Sequence, residues 1–308
     1  VNVVAMFVHS GRPEAIATGR EVAEWLRAHG LEPVAFDGEA ELLGVPIAST
    51  NPTGLPAANI GLVVAIGGDG TVLRATRWAV AADADLIGVN LGQLGYLAEV
   101  EPSGWADALA SYLAGTHSIA PRMMVSAEIR PANSGSATTE SITGDGTISD
   151  VASPPSGFGS LPLGLNEVVV EKQAIGRTIR LGVSIDGRFF TSYVADGIIL
   201  ATPTGSTAYS LSARGPIVDP SHRAILLTPV SPHSLFDRAL VLDPASTVEI
   251  KVLGERAAAV SVDGTQQGAL DPGHRLLVRA APTPARFVTF GGRDFHQILK
   301  SKFGLNDR

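Results

Sequence analysis

Six residues near the end of the first quarter of the chain read Ile66-Gly67-Gly68-Asp69-Gly70-Thr71, and Asp69 is the only ionisable group among them. A glycine turn between an apolar run and a helix start aims free backbone N–H groups at an anion. A carboxylate in that turn repels a bare phosphate. It makes chemical sense facing a hydroxyl that is to be deprotonated, or a metal carried by phosphates. The same residues are also ordinary turn and capping material, with Asp69 or Thr71 closing the first turn of a helix. Both readings stand at this point.

Two further blocks carry chemistry. Asn166 and Glu167 are a polar pair entering the apolar run Val168-Val169-Val170. Asn offers donor and acceptor and an ionised Glu accepts, so together they can grip two vicinal hydroxyls, as on a ribose. The alternative is a strand edge with its polar residues in water. The third block, residues 195–215, reads ADGIILATPTGSTAYSLSARG. Thr204, Ser206, Thr207 and Ser210 supply hydroxyls, Tyr209 can stack on a flat ring, and Gly205 permits close backbone approach. These features suit a nucleobase pocket, or else a Ser/Thr-rich loop anchored by one Tyr.

The elements that must position these residues follow from periodicity. Leu62 to Ile66 is a short β-branched run, as in a buried strand, and Val72, Leu73, Ala75, Trp78 and Ala79 keep helical spacing after it. Strands at 1–8, 31–36 and 86–90 alternate with helices after Pro13 and over 105–113. That alternation predicts a parallel sheet covered by helices, with ligands at the carboxyl ends of its strands. Both Gly-rich turns, after Ile66 and after Asn90, fall at that edge. From about His117 the helical period disappears. Strand-like runs recur to about 290, with Asp186-Gly187 and Asp263-Gly264 as hairpin turns. The expected division is an α/β domain over 1–118, a β-rich domain over 119–291 and a helix over 292–308 that returns to the first domain. Residues 131–161, rich in Ser, Thr, Gly and Pro, are expected to form a mobile loop.

Composition narrows the chemistry. The chain has 308 residues, 45% hydrophobic and 17% charged, with a net charge of −7. That acidity argues against nucleic acid or an anionic membrane as the main partner. There is no Cys, which removes disulfides, thiolate metal sites and a Cys nucleophile. No P-loop Lys, G-x-G-x-x-G, H-E-x-x-H or G-x-S-x-G is present. The seven His are scattered without metal-ligand spacing. No run reaches transmembrane length and the first residues lack the look of a signal peptide, so a cytoplasmic compartment is expected.

Taken in order, the Gly-Gly-Asp-Gly-Thr turn, Asn166-Glu167 and Thr-Pro-Thr-Gly-Ser-Thr-Ala-Tyr from Thr202 resemble the NAD kinase family over nearly the whole chain. The Gly-Gly-Asp-Gly element alone is shared with lipid kinases of the diacylglycerol type and phosphofructokinases; the stretch from Asp196 to Ser212 is the specific part. The resemblance implies phosphorylation of the adenosine 2′-hydroxyl of NAD to give NADP. The donor would be ATP or polyphosphate, with a divalent cation, Mg²⁺ or Mn²⁺. It implies Asp69 as general base, Gly68 and Gly70 near the phosphates, and Asn166 and Glu167 on the ribose. Thr207, Ala208, Tyr209 and Ser212 would line the adenine pocket, and Arg74, Arg177 and Asp196 would contact the dinucleotide, Asp196 from a neighbouring subunit in some members. Many members carry Arg two residues before Asp196, where this chain has Val194. A homodimer or homotetramer is implied too. A lipid or sugar kinase, motivated by the glycine turn alone, and a non-catalytic dinucleotide sensor are the alternatives.

Overall fold

The computed structural model describes residues 2–36, 38–48, 59–92, 95–131, 162–174, 176–291 and 294–305. The expected loop at 131–161 lies outside the described residues except for Pro131.

The first half builds β1 (Val3–Val8), α1 (Pro13–Ala28), β2 (Glu32–Ala35), α2 (Glu39–Leu43), β3 (Ile60–Gly67), α3 (Asp69–Ala81), β4 (Asp85–Asn90), α4 (Trp105–Leu113) and β5 (Ser118–Arg122). β1 pairs in parallel with β2 and β3, and β3 in parallel with β4. Parallel strands are buried on both faces, and β3 follows that rule residue by residue. Leu62, Val64 and Ile66 join the core on the side of α1 and α4, while Val63 and Ala65 join the core under α3.

A second half follows with β6 (Val125–Arg130), β7 (Glu167–Lys172), β8 (Ile179–Ile185), β9 (Arg188–Ala195), β10 (Gly197–Ala201), α5 (Tyr209–Ser212), β11 (Ile225–Val230), β12 (Leu240–Leu242), β13 (Val248–Val252), β14 (Ala258–Val262), β15 (Thr265–Leu270) and β16 (Arg275–Ala280). Two antiparallel sheets result, ordered β12-β11-β10-β7-β14-β15 and β6-β16-β13-β8-β9. Alternate residues of both meet in one sandwich core, with Val168, Val170 and Val260 facing Leu181, Val183 and Ile250. The outer face of β7 and β10 carries a smaller core of Val169, Ile199, Ala201 and Leu226. That second burial explains why 168–170 reads as three consecutive valines rather than an alternation.

The chain then crosses back. β17 (Ala285–Thr289) pairs in parallel with β4 and antiparallel with β5, which completes the first sheet in the order β2-β1-β3-β4-β17-β5. The sequence reading grouped residues 119–122 and 285–289 with the β-rich half. Residues 285–287 alternate like a sandwich strand and none of 119–122 is fully buried, so only pairing reveals the sheet to which both segments belong. α6 (Phe295–Lys302) ends the described chain and is capped by Asp294, whose carboxylate accepts the His296 N–H at 2.9 Å. Phe295 packs on Tyr96 with ring centroids 6.4 Å apart, so the helix returns to the first half.

Candidate active site

β3 delivers Gly68 and Asp69 to the carboxyl edge of the first sheet, and α3 begins at Asp69 with no side-chain cap. The Asp69 carboxylate turns away from its own helix. Oδ2 accepts the Tyr96 N–H at 2.9 Å and Oδ1 the Leu97 N–H at 3.1 Å. The capping reading of Asp69 is therefore overturned. Gly95 is what lets the two segments meet, since a Cβ there would overlap Oδ1. The Tyr96 phenol is pushed up by burial and then by the Asp69 charge.

Two clefts lie near this carboxylate, one lined by the residues whose amides hold it and one by its chain neighbours. One, of about 310 Å³, runs between the halves and is lined by Tyr96, Leu97, Thr204, Thr207, Ser221 and Phe295 among others. The second, of about 420 Å³, lies at the ends of β1 and β3. It is lined by Val8, His9, Ser10, Arg12, Gly68, Gly70, Thr71 and Arg74. Gly68 and Gly70 leave open space where a side chain would stand. Arg74 is not loose: its guanidinium pairs with Glu39 at 2.5 Å, donates to the Val8 carbonyl at 2.9 Å and lies 5.5 Å from the Phe7 ring centre. Arg12 donates to the Leu91 carbonyl and joins the two loops at this edge.

On the other side, Asn166 and Glu167 enter β7 in the middle of a six-stranded sheet. Glu167 is 6% exposed, which overturns the reading of the pair as a wet strand edge. One of its carboxylate oxygens, Oε2, has no hydrogen-bond partner. Burial first, then the nearby Asp263 charge, push its carboxyl up to about 8, partly offset by the Tyr209 N–H. Gly205 packs so closely that a Cβ would overlap the Asn166 carbonyl, as close backbone approach requires. The Thr202 N–H donates to that same carbonyl at 2.8 Å.

The hydroxyl-rich block splits into two roles. Thr202 donates to the Leu165 carbonyl at 2.5 Å, Ser206 to the Val218 carbonyl at 3.1 Å, and Ser210 bonds Thr228 at 3.0 Å. Those hydroxyls hold the fold. Thr204 is 7% exposed with an unpartnered Oγ1, and it lines the inter-half cleft with Thr207. Ala208 breaks the backbone between a 3-10 turn and α5, which sets Tyr209 at the surface, 39% exposed. Burial first raises the Tyr209 phenol, and the charges of Glu171, Asp196 and Glu167 add to that. Asp196 is ion-paired within this chain to Lys172 at 2.6 Å. Ser212 and Arg177 are exposed, Arg177 on the turn before β8.

Three contributors escaped the sequence reading. Tyr96 and Leu97 act through their amides, which no side-chain pattern announces. Asp263 looked like hairpin material only, yet its carboxylate accepts the N–H groups of Leu165, Asn166 and Glu167 at 2.9, 2.8 and 3.1 Å.

The chain matches two domain families: the ATP-NAD kinase N-terminal domain over residues 53–117 and the ATP-NAD kinase C-terminal domain over 165–290. It is 36% identical to an NAD kinase of Heliobacterium modesticaldum, covering 97% of both chains. To NAD kinase 1 of Streptomyces coelicolor it is 37% identical, covering 99% of this chain and 86% of that one. Among solved structures, yeast NADH kinase complexed with NADH superimposes with a TM-score of 0.80 at 24% identity, covering all of this chain and 89% of the other. An NAD kinase from Archaeoglobus fulgidus in complex with ATP gives 0.68 at 21% identity, with both chains fully covered.

Proposed function

The chain belongs to the NAD kinase family, and on that premise we propose how its two halves divide the phosphorylation of NAD to NADP. Asp69 takes the proton from the adenosine 2′-hydroxyl. That oxygen attacks the γ-phosphorus of ATP, and the bond from phosphorus to the ADP oxygen breaks. The observation carrying this reading is the Asp69 carboxylate, held off its own helix by the amides of Tyr96 and Leu97, which line one cleft, while Gly68 and Gly70 beside it line the other. Phosphoryl transfer asks for alignment and charge neutralisation more than covalent chemistry. The donor phosphates fit the cleft of Gly68, Gly70 and Arg74, where two helix N-termini and Arg12 add positive potential.

The acceptor lies across the halves. Asn166 and Glu167 hold its ribose, and Thr207, Ala208, Tyr209 and Ser212 take the adenine. Arg177 and Asp196 reach the rest of the dinucleotide, whereas Arg74, which the resemblance also put there, lines the cleft of Gly68 and Gly70. A sugar hydroxyl donating to Glu167 favours the ionised carboxylate, so NAD binding releases a proton below about pH 8 and tightens as pH rises towards it. Among the described residues no three His, Asp or Glu cluster to hold a metal. A divalent cation would therefore enter on the nucleotide phosphates, with at most a carboxylate such as Asp69 beside it, and would neutralise phosphate charge.

Polyphosphate is a second donor that this cleft would admit. A homodimer or homotetramer forms through the edge strand β9 and the neighbouring 231–239 loop. There Phe189 is 68% exposed and Phe190 packs against Phe236 with ring centroids 5.8 Å apart. The proposed compartment is the cytoplasm; no described helix is long and apolar enough to cross a membrane. The deciding assay uses purified protein, NAD, ATP and Mg²⁺ with an NADP-specific dehydrogenase as readout. NADP is expected with ATP, and its absence with both ATP and polyphosphate overturns the reading.

A further inference from the structure

Asp263 sits at the tip of the β14–β15 hairpin with a φ of +46°, followed by Gly264 at +74°. An Asp-Gly pair with two positive φ values is what a two-residue hairpin turn demands, and nothing in that geometry asks for a particular use of the side chain. Here the side chain folds back instead of entering solvent. Oδ1 accepts from Asn166 and Glu167, and Oδ2 accepts from Leu165. The Asp263 N–H in turn donates to the Glu167 carbonyl at 3.0 Å, so the contact is reciprocal. Three successive amides converging on one anion form a nest, which fixes the backbone dihedrals of the residues supplying them. The opposite flank is held by Arg77 of α3, whose guanidinium donates to the Val262 carbonyl at 3.0 Å and attracts the Asp263 charge.

We propose that Asp263 is a positioning residue for the acceptor sugar: it sets where Asn166 and Glu167 present their side chains, and Arg77 ties that setting to the helix that starts at Asp69. This rests on the reading of Asn166 and Glu167 as the ribose grip. The base and the grip belong to different halves of the chain, and a shift of an ångström between them costs rate steeply. The Arg77–Val262–Asp263 link is a direct polar path from α3 to the grip.

The charged and titratable groups around Glu167 are known. Asp263 faces it from the hairpin. Tyr209 of α5 donates its N–H to it, and the Tyr209 phenol feels the charges of Glu171, Asp196 and Lys172; Arg77 attracts the Asp263 charge. Because the Asp263 charge is one cause of the raised Glu167 carboxyl, removing it moves Glu167 towards ordinary acidity.

The test compares the intact enzyme with Asp263→Asn, Glu167→Gln and Gly264→Ala. Asp263→Asn keeps the shape and loses the charge. Its kcat/KM for NAD is expected to fall about 10- to 100-fold with KM for ATP nearly unmoved. The rising limb of its pH profile for kcat/KM of NAD should lie below the wild-type position. Glu167→Gln is expected to abolish that limb. Gly264→Ala strains the same turn but keeps the carboxylate, so it should lower the melting temperature and leave the limb in place. If Asp263→Asn leaves the limb unmoved, as Gly264→Ala does, the positioning role is overturned while the ribose grip survives. If Glu167→Gln changes neither kcat/KM for NAD nor the limb, the grip itself is wrong and the Asp263 role falls with it.

Discussion

At the tip of β3 the carboxylate proposed for chemistry accepts two backbone N–H groups itself, from Tyr96 and Leu97. At the start of β7 a helper, Asp263, accepts three such groups, and Glu167 keeps an oxygen with no protein partner. Burial raises the carboxyls of both Glu167 and Asp263, opposed by one amide bond at Glu167 and by three at Asp263. The same device, a carboxylate accepting several amides, holds the proposed base in one half and the backbone beneath the proposed ribose grip in the other.

Asp69→Asn tests the first arm most directly. Positioned proton removal is worth about 10²- to 10⁴-fold, so turnover should fall by that order while NAD still binds. Steady-state NADP formation and NAD titration by calorimetry measure both, and near-normal turnover breaks the contrast. The two glycines that admit these contacts sharpen it next. In Gly95→Ala the new Cβ displaces the Asp69 carboxylate, and in Gly205→Ala it displaces the Asn166 carbonyl. A displacement of this kind is expected to cost about 10²-fold in kcat/KM, chiefly in kcat for Gly95→Ala and chiefly in KM for NAD for Gly205→Ala. The same pattern of kcat and KM in both variants would dissolve the distinction.

The last effect is on stability rather than rate. Glu167 holds its proton in the folded chain up to about pH 8, against an ordinary 4.5. The native state therefore binds more protons than the unfolded one within that window. The contribution of this group is present below the lower value and is lost as pH rises towards the upper, at up to about 1.4 kcal/mol per pH unit. Denaturant melts of Glu167→Gln should show a flatter pH dependence between those limits; an unchanged slope would mean that Glu167 titrates normally.

Much of the fold was legible because parallel strands under helices leave a strong signature. The run Leu62 to Ile66, the glycine turn and the α3 period needed no tertiary information. β5, β9, β12, β15 and α2 are not legible in the sequence. The exposed Phe189 and Phe190, the short Leu240–Leu242 and the Gly-containing β15 break the alternation on which a strand reading depends. At the site, Asp69, Asn166-Glu167 and Tyr209 stood out through unusual residue types in unusual places. Arg74, anchored to Glu39 and Val8, showed nothing of that anchoring in its spacing.

What the sequence settled by itself was local: which segments are strands or helices, where the glycines release the backbone, and which polar groups interrupt apolar runs. Such properties depend on neighbours a few residues away, and the chain records them directly. The tertiary structure alone decided that β17 lies beside β4, that Asp69 leans on amides 27 and 28 residues further along, and that Asp263 serves residues nearly a hundred positions earlier. The partner in most of these contacts is a backbone N–H, which every residue but proline carries, so no choice of side chain marks it before the chain has folded.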